Sequence, residues 1–428
     1  MVAFEMKKVY SFIKLIGWSI IFYLFVFQPV ISKYIYIFVE FLLFVYILFS
    51  HKKLMSNNFK LFRREYLFAG LICGYSFLMD ASNYQIVYLD RFVASFFQGY
   101  LVSFILIFFI SKYSYLQENL DKCLVMMCFI ACSITIAAVL IPSVNDFCME
   151  YATADIKNRF QELYIEHNFQ QYRSYGLSEN INFTYPYVLA IIGGYLITSQ
   201  FKIYSPFIIV MVLVAVIFNA RIAFVPLLIA VFYALVLKKK STRGIISFAL
   251  IAFFFIIIIN WGLILFPNLR NEWGLSFFTE IGSYVEGEED GTIGTLTNRM
   301  WIIPDDDLEL IIGTGDNLFH NTAGRGNSDV GYILQLNYGG LILLSVILFY
   351  FFYISKRIIK ALSLRHWFAI MFIVSIFVLN MKGFYLSAIP GNRFITFLYV
   401  YFVYASKIGI RDLTPNKPLI SLREYYVC

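Results

Sequence analysis

Apolar stretches of roughly 16 to 23 residues recur along the whole chain, which is the length a helix needs to cross the hydrocarbon layer of a bilayer. Hydrophobic residues make up 60% of the chain and charged residues only 14%, more apolar surface than one soluble core could bury. The sequence therefore predicts an all-α polytopic membrane protein, with residues 1–428 forming one integral membrane domain. Twelve transmembrane helices are predicted, near residues 11–30, 34–50, 66–80, 92–110, 123–141, 183–198, 203–218, 222–237, 245–266, 331–353, 366–380 and 394–406.

The distribution of charge along the chain predicts its orientation. With both termini in the cytoplasm, about two thirds of the 34 Lys and Arg residues fall on the inner side and about three quarters of the 27 acidic residues on the outer side. The sequence thus predicts a multi-pass membrane protein with both termini on the cytoplasmic side. The net charge of +7 is explained by this topology, and no nucleic-acid partner is expected.

Two predicted outer loops, residues 142–182 and 267–328, are too long to be simple connectors. Loops of this size on a rigid helical frame commonly carry function, although they can also be solvated caps. The closely joined spans 203–218 and 222–237 are open to a second interpretation. A tilted or half-inserted helix gives the same hydropathy signal as a short span.

Short motifs of arginine, glycine and aspartate lie in the predicted outer segments. In chain order they are Arg173-Ser174-Tyr175-Gly176, Asn219-Ala220-Arg221, Arg299-Met300-Trp301, Gly313-Thr314-Gly315 and Asp329-Val330-Gly331-Tyr332, the last leading into Gly339-Gly340. This order and placement resemble the O-antigen polymerase (Wzy) family, and the wider O-antigen ligase-like superfamily is similar.

The resemblance implies a glycosyltransferase that needs neither metal nor cofactor. Such an enzyme moves an oligosaccharide repeat unit from one polyprenyl-pyrophosphate carrier to a sugar hydroxyl on another, at the outer face of the cytoplasmic membrane. The expected partners are polyprenyl-pyrophosphate-linked oligosaccharides and membrane lipid, together with a chain-length regulator and a flippase of the same pathway.

Arginines are the candidates for binding the pyrophosphate, because a guanidinium fork binds phosphate oxygens bidentately and stays charged. Arg173, Arg221, Arg299 and Arg325 are predicted to serve here, and Tyr332 to contact the glycan. Arg221 has an alternative interpretation as an arginine that snorkels from a helix end.

The acceptor hydroxyl must lose a proton as it attacks, which requires a general base. His320 is the first candidate because of its ordinary pKa range, and Asp329 and Glu179 are the others. Asp329 has an alternative role as a cap of the following helix. His320-Asn321 is similar to the ligase branch, so an O-antigen ligase or an oligosaccharyltransferase stays open.

Other motifs are given structural interpretations. The run Asp305-Asp306-Asp307 is interpreted as the start of a loop helix after Pro304, and Gly313-Thr314-Gly315 as a turn. No metal site is predicted.

Two functions of other classes remain: a flippase or transporter, and a non-catalytic partner in a glycan assembly complex. A flippase is expected to place several charged residues along a path within the spans. In the sequence, Glu40 is almost the only acidic residue inside a predicted span, which favours the enzyme.

Overall fold

The computed structural model describes residues 2–29, 33–150, 177–178, 183–198, 204–237, 300–318, 327–362, 366–383, 385–387 and 389–408. Within these ranges the backbone is helical apart from turns and short extended links, and it contains no strand. The α-helices are α1 (Val2–Phe27), α2 (Lys33–Ser50), α3 (Lys52–Leu61), α4 (Arg63–Ser82), α5 (Leu89–Lys112), α6 (Ser114–Leu140), α7 (Pro142–Glu150), α8 (Thr184–Thr198), α9 (Ser205–Ile217), α10 (Phe224–Phe232), α11 (Asp307–Ile312), α12 (Gly331–Ala361), α13 (His366–Lys382) and α14 (Ile389–Ile408).

Helices occupy each predicted span that falls in these ranges, whereas the predicted span 245–266 lies outside the described residues. Among the described residues, four helices are long and apolar enough to cross a membrane: Val9–Phe27 within α1, then α5, α6 and α12. A fifth span results if α2 and α3, which meet at a bend of 104°, are counted as one broken element. The chain is therefore a helical, membrane-embedded protein.

The pair α9 and α10 is shorter than a full span. Helix α9 has 13 residues and is about 20 Å long at 1.5 Å per residue, against about 30 Å for the hydrocarbon layer. A 3₁₀ turn at Arg221–Ala223 joins it to α10. Both interpretations of the pair, as two short spans or as half-inserted helices, stay predictions.

Helices α5 and α14 form the centre of the bundle. Helix α14 packs against α1, α5, α8 and α12, and most of the side chains of α5 are buried. By contrast, large apolar side chains on α2 and α12, including Phe38, Phe49, Phe349 and Phe352, are exposed by 60% or more. Exposed apolar faces on helices of spanning length indicate contact with lipid.

Several helices begin or end together at one end of the bundle, which we call the predicted outer end. Helices α4 and α13 finish there, and α5, α8, α12 and α14 begin there. Contacts near these termini join them: Asp80 to Leu89, Asp329 to Lys382, and Thr184 to Gly391.

Helix α12 is broken at Gly340, whose φ of +62° is rarely adopted by residues with a Cβ. The short helix α11 and the turn that follows it occupy the break. A Cβ on Gly340 would collide with the Ile311 carbonyl and lie 2.6 Å from the Gly313 nitrogen. The predicted loop helix after Pro304 is confirmed: it begins at Asp307, and the Asp306 side chain accepts the Leu308 and Glu309 N–H groups.

Substitution of Gly340 by alanine is expected to lower the apparent melting temperature of the purified protein. The substitution combines a strained φ, worth about 1–3 kcal/mol, with a backbone collision. Gly70→Ala is the matched control, because a Cβ there has nothing within 4 Å. Equal melting temperatures for the two variants in detergent would contradict the described packing of α11 on α12.

Candidate functional site

Arg393 is the largest fully buried side chain in the described part of the chain. It lies four residues into α14, and its Nη1 donates to Gln98 Oε1 over 3.5 Å. Gln98 is nine residues into α5, about 14 Å from the start of that helix. The guanidinium is therefore held inside the bundle, below the predicted outer end, where a positive charge is costly unless anionic or polar groups surround it.

Neutral polar groups line the same stretch of the interface between α5 and α14. Asn392 Nδ2 donates to Ser95 Oγ over 3.0 Å, and Thr396 Oγ1 donates to Asn392 Oδ1 over 3.1 Å. Gly99 lies opposite Thr396, and a Cβ on it would come within 3.3 Å of the threonine hydroxyl. This close packing positions Arg393 and Gln98 from two helices that are each fixed by neighbours.

Arg393 is not among the site residues predicted from the sequence. The predicted span begins only at residue 394, which places Arg393 in an outer loop. Pro390 was the signal that could have moved the start of the helix, since proline favours the first turn. With α14 beginning at Ile389, Arg393 falls within a buried helix of the bundle and becomes a candidate by location.

Arg221 lies in the 3₁₀ turn between α9 and α10, which packs against α8 and α13. Its side chain is half-buried, and the neighbouring Asn219 closes the end of α9 by donating to the Ala215 carbonyl over 2.8 Å. Helix α8 also contacts α14. Arg221 and Arg393 are thus carried by elements that flank the same helix.

Asp329 pairs with Lys382, with 3.4 Å between Oδ2 and Nζ, and its side chain is 37% exposed. It does not cap α12, so that alternative is wrong: the N-cap is Val330, whose N–H donates to Ser328 Oγ over 3.2 Å. The Ser328 hydroxyl therefore binds the backbone at the start of α12, and it also donates to the Met300 carbonyl. A role for Asp329 as a base stays a prediction.

Tyr332 is half-buried, and its hydroxyl donates to the Phe377 carbonyl over 3.0 Å. One turn further along, Gln335 and Asn380 exchange two hydrogen bonds of 2.7 and 3.1 Å. Both contacts join α12 to α13 below the Asp329–Lys382 pair. Tyr332 therefore has a packing role, and its predicted contact with glycan stays a prediction.

The remaining predicted site residues, Arg173, Glu179, Arg299, His320 and Arg325, lie outside the described residues. The first outer loop is described only at α7 and at residues 177 and 178, and the second at residues 300–318 and at its last two residues, 327 and 328.

The Gly313-Thr314-Gly315 turn binds to the broken helix α12. The N–H groups of Thr314 and Gly315 donate to the carbonyls of Asn337 and Tyr338 over 2.7 and 2.9 Å. Both glycines have positive φ, as a turn of this shape requires. The prediction of a turn is confirmed. The sequence did not predict that this turn packs on α12.

Asp80 anchors this region from α4. Its Oδ1 accepts the Tyr338 hydroxyl over 2.6 Å, and its Oδ2 accepts the Leu89 N–H over 3.1 Å. Tyr88 adds a bond of 3.0 Å from its hydroxyl to Asn317 Oδ1. The buried carboxylate thus fixes the start of α5 and the outer part of α12 together.

A second buried carboxylate, Glu65, holds α4, α12 and α14 together deeper in the bundle. Its Oε1 accepts hydrogen bonds from both Arg357 and Tyr399. Its Oε2 is buried without a partner among the described residues, as is the Tyr66 hydroxyl. Buried polar atoms of this kind are commonly satisfied by ordered water.

Glu40 is not the only buried acidic residue in the described part of the chain. Glu40 accepts from Gln28 Nε2, and Glu65 and Asp80 are also buried, within α4. That Glu40 is almost the only acidic residue inside a span stays a prediction. The hydropathy pattern does not single out Glu65 and Asp80, because each lies within three residues of a helix end, outside the predicted span 66–80 or at its limit.

In the described part of the chain, no group of three or more His, Cys, Asp or Glu side chains is arranged to hold a metal ion. The fold and these contacts define a helical, membrane-embedded protein with a buried arginine below the predicted outer end. No protein-family model, curated protein or solved structure matches the chain.

Proposed function

We propose that this protein is an O-antigen or polysaccharide polymerase that transfers a polyprenyl-pyrophosphate-linked repeat unit onto another lipid-linked repeat unit. The observation that carries the proposal is the buried guanidinium of Arg393, which donates to Gln98, a residue about 14 Å along α5 from the start of that helix. A pyrophosphate attached to a membrane lipid lies close to the membrane surface, and it is the kind of anion that such a cation attracts.

The proposal includes the full topology expected from the sequence. It has about twelve spans, both termini in the cytoplasm and the catalytic loops outside the cytoplasmic membrane. The shorter helices α8, α9, α10 and α13 then cross the membrane where the bilayer thins around them, as it does around hydrophobic stretches shorter than its thickness.

In the proposed reaction, an acceptor sugar hydroxyl attacks the anomeric carbon of the donor repeat unit. The bond from that carbon to the pyrophosphate oxygen breaks, and polyprenyl pyrophosphate leaves with the electron pair. The hydroxyl proton passes to a base, for which His320 remains the first choice. Arg393 and Arg221, with the predicted Arg173, Arg299 and Arg325, stabilise the negative charge that gathers on the leaving group.

The chemistry of the arginines suits this reaction without a metal ion. A guanidinium provides several fixed donors and a permanent charge, and it binds phosphate in a planar, bidentate way. A ligase or an oligosaccharyltransferase would use the same donor chemistry with another acceptor.

A flippase of lipid-linked sugars is the second candidate, and the buried charges favour it. Glu65, Asp80 and Arg393 all lie within helices of the bundle, and Arg357 pairs with Glu65 inside it. Charged residues within membrane helices commonly mark substrate or ion pathways. These residues lie near helix ends or in pairs that join helices, which is also what a rigid enzyme frame needs.

Gel analysis of surface glycan in cells that lack the protein distinguishes these functions. For a polymerase, deletion leaves a single repeat unit on the final acceptor where the wild-type cells show a ladder. A ligase predicts accumulation of polymerised lipid-linked glycan with none on the acceptor. A flippase predicts loss of all surface glycan, with unpolymerised lipid-linked units retained in the inner leaflet. An unchanged ladder would exclude all three functions.

A further inference from the structure

The segment from Trp301 to Ile312 exposes a set of large apolar side chains, although it belongs to a loop that the sequence places in water. Trp301 and Leu308 are 50% and 64% exposed, and Ile303, Ile311 and Ile312 are exposed as well. Helix α11 presents Leu308, Ile311 and Ile312 at spacings of three and four residues, so they share one face. A contiguous apolar face of this kind is usually covered by a partner or by lipid.

Contacts of this segment with α4 and α12 place its end below the outer ends of both helices. The Tyr75 hydroxyl donates to the Ile312 carbonyl over 2.6 Å, and Tyr75 is seven residues, or about 10 Å, from the end of α4. Gly340, which adjoins Ile311 and Gly313, is nine residues, or about 14 Å, from the start of α12. The end of α11 is therefore well below the ends of both helices.

The apolar face continues into the exposed side of α12, which is long and apolar enough to span the membrane. Leu341 and Ile342 directly follow Gly340 and are 44% and 42% exposed, and Phe349 and Phe352 follow on the same helix. The exposed apolar residues of α11 and α12 therefore adjoin each other at Gly340, and the same medium is expected to cover both. For a membrane span, that medium is lipid hydrocarbon.

The opposite end of α11 is strongly polar. Asp305, Asp306 and Asp307 are all exposed at the end of the helix away from Gly340. Carboxylates are expensive in hydrocarbon and are stable at the headgroups or in water. The segment is thus apolar at its deep end and charged at its shallow end, which is the polarity expected of an element that enters one leaflet.

We propose that residues 301–312 form an interfacial segment whose apolar side chains contact the acyl chains of the leaflet at the predicted outer end. Six helical residues span only about 9 Å, so α11 enters the leaflet and does not cross it. The proposal does not depend on the proposed function. It brings the loop that contains the Arg299-Met300-Trp301 motif to the lipid surface, where a lipid-linked substrate arrives.

Spin labelling of the full-length protein in phosphatidylethanolamine–phosphatidylglycerol vesicles tests the proposal. Nitroxides are attached to single cysteines at Leu308 and Ile312 in a chain whose native cysteines are replaced. Phe349→Cys on the exposed side of α12 is the lipid control, and Asp305→Cys is the water control. Collisions with oxygen are expected to exceed those with a water-soluble nickel chelate at 308 and 312, as at 349, with the reverse at 305.

Two results would overturn the proposal. Nickel access at 308 and 312 equal to that at 305 means that the face lies in water, and low access to both reagents means that protein, such as a second copy, covers it. If the chain without native cysteines fails to fold, Leu308→Trp and Asp305→Trp in the native chain replace the labels. Brominated lipids should then quench Leu308→Trp more strongly, and equal quenching would refute the proposal.

Discussion

Replacing Glu65 with alanine is expected to destabilise the protein by about 3–5 kcal/mol, because it leaves the Arg357 guanidinium without its buried carboxylate. The Glu65 side chain is completely buried, and it also accepts from the Tyr399 hydroxyl, so three helices lose a common contact. The apparent melting temperature in detergent, with reversible unfolding where it can be achieved, measures the effect.

A matched control is available in the same protein. The Asp329–Lys382 pair also joins two helices, but its side chains are 37% and 26% exposed. Asp329→Ala is expected to cost about 1 kcal/mol or less, because solvent screens an exposed pair. If Glu65→Ala and Asp329→Ala lower the free energy of unfolding equally, the buried contacts of Glu65 with Arg357 and Tyr399 do not stabilise the bundle as described. The double variant Glu65→Leu with Arg357→Met should recover much of the loss, because it removes both charges.

The second large effect is expected at Arg393. Arg393→Gln keeps much of the length and the hydrogen bonding of the side chain but removes its charge. If the guanidinium stabilises the departing pyrophosphate, chain elongation should fall about 100-fold, a typical effect of removing one charge-stabilising group from an active site. The ladder of surface glycan in complemented cells, normalised to the amount of protein in the membrane, measures it.

Arg91→Gln is the control for this prediction. Arg91 is also an arginine of the predicted outer end, half-buried at the start of α5 with its guanidinium 5.8 Å from the centre of the Tyr88 ring. Its ladder should match that of the wild type. Arg393→Lys restores the charge without the planar fork, so partial recovery supports phosphate binding. A full ladder from well-folded Arg393→Gln would remove Arg393 from the site.

Helix positions were predictable from the sequence, because apolar stretches of spanning length admit few other structures in lipid. Helix ends were not, since hydropathy loses its signal where polar residues enter the first or last turn. Arg393 and Asp80 show the consequence. Each was assigned to a loop or to the limit of a span, although tertiary contacts bury it within a helix.

The partners of buried polar residues depend on contacts between distant parts of the chain. Glu65 and Tyr399 are 334 positions apart, and Asp80 and Tyr338 are 258 apart. Nothing in the local sequence of either carboxylate indicates which helix will supply its donor. The break at Gly340 also depends on a contact that the local sequence does not indicate. The Gly339-Gly340 pair can be recognised in the sequence, but the residues that occupy the break, Ile311 to Gly313, come from the preceding loop.

Elongation of lipid-linked repeat units by the purified protein tests the central claim most directly. The substrate is the lipid-linked oligosaccharide extracted from cells that lack the protein, added to vesicles that contain either the wild type or Arg393→Gln. The account predicts a series of longer lipid-linked products with release of polyprenyl pyrophosphate for the wild type, and little elongation for the variant. Unchanged single repeat units in vesicles that contain folded wild-type protein would contradict it.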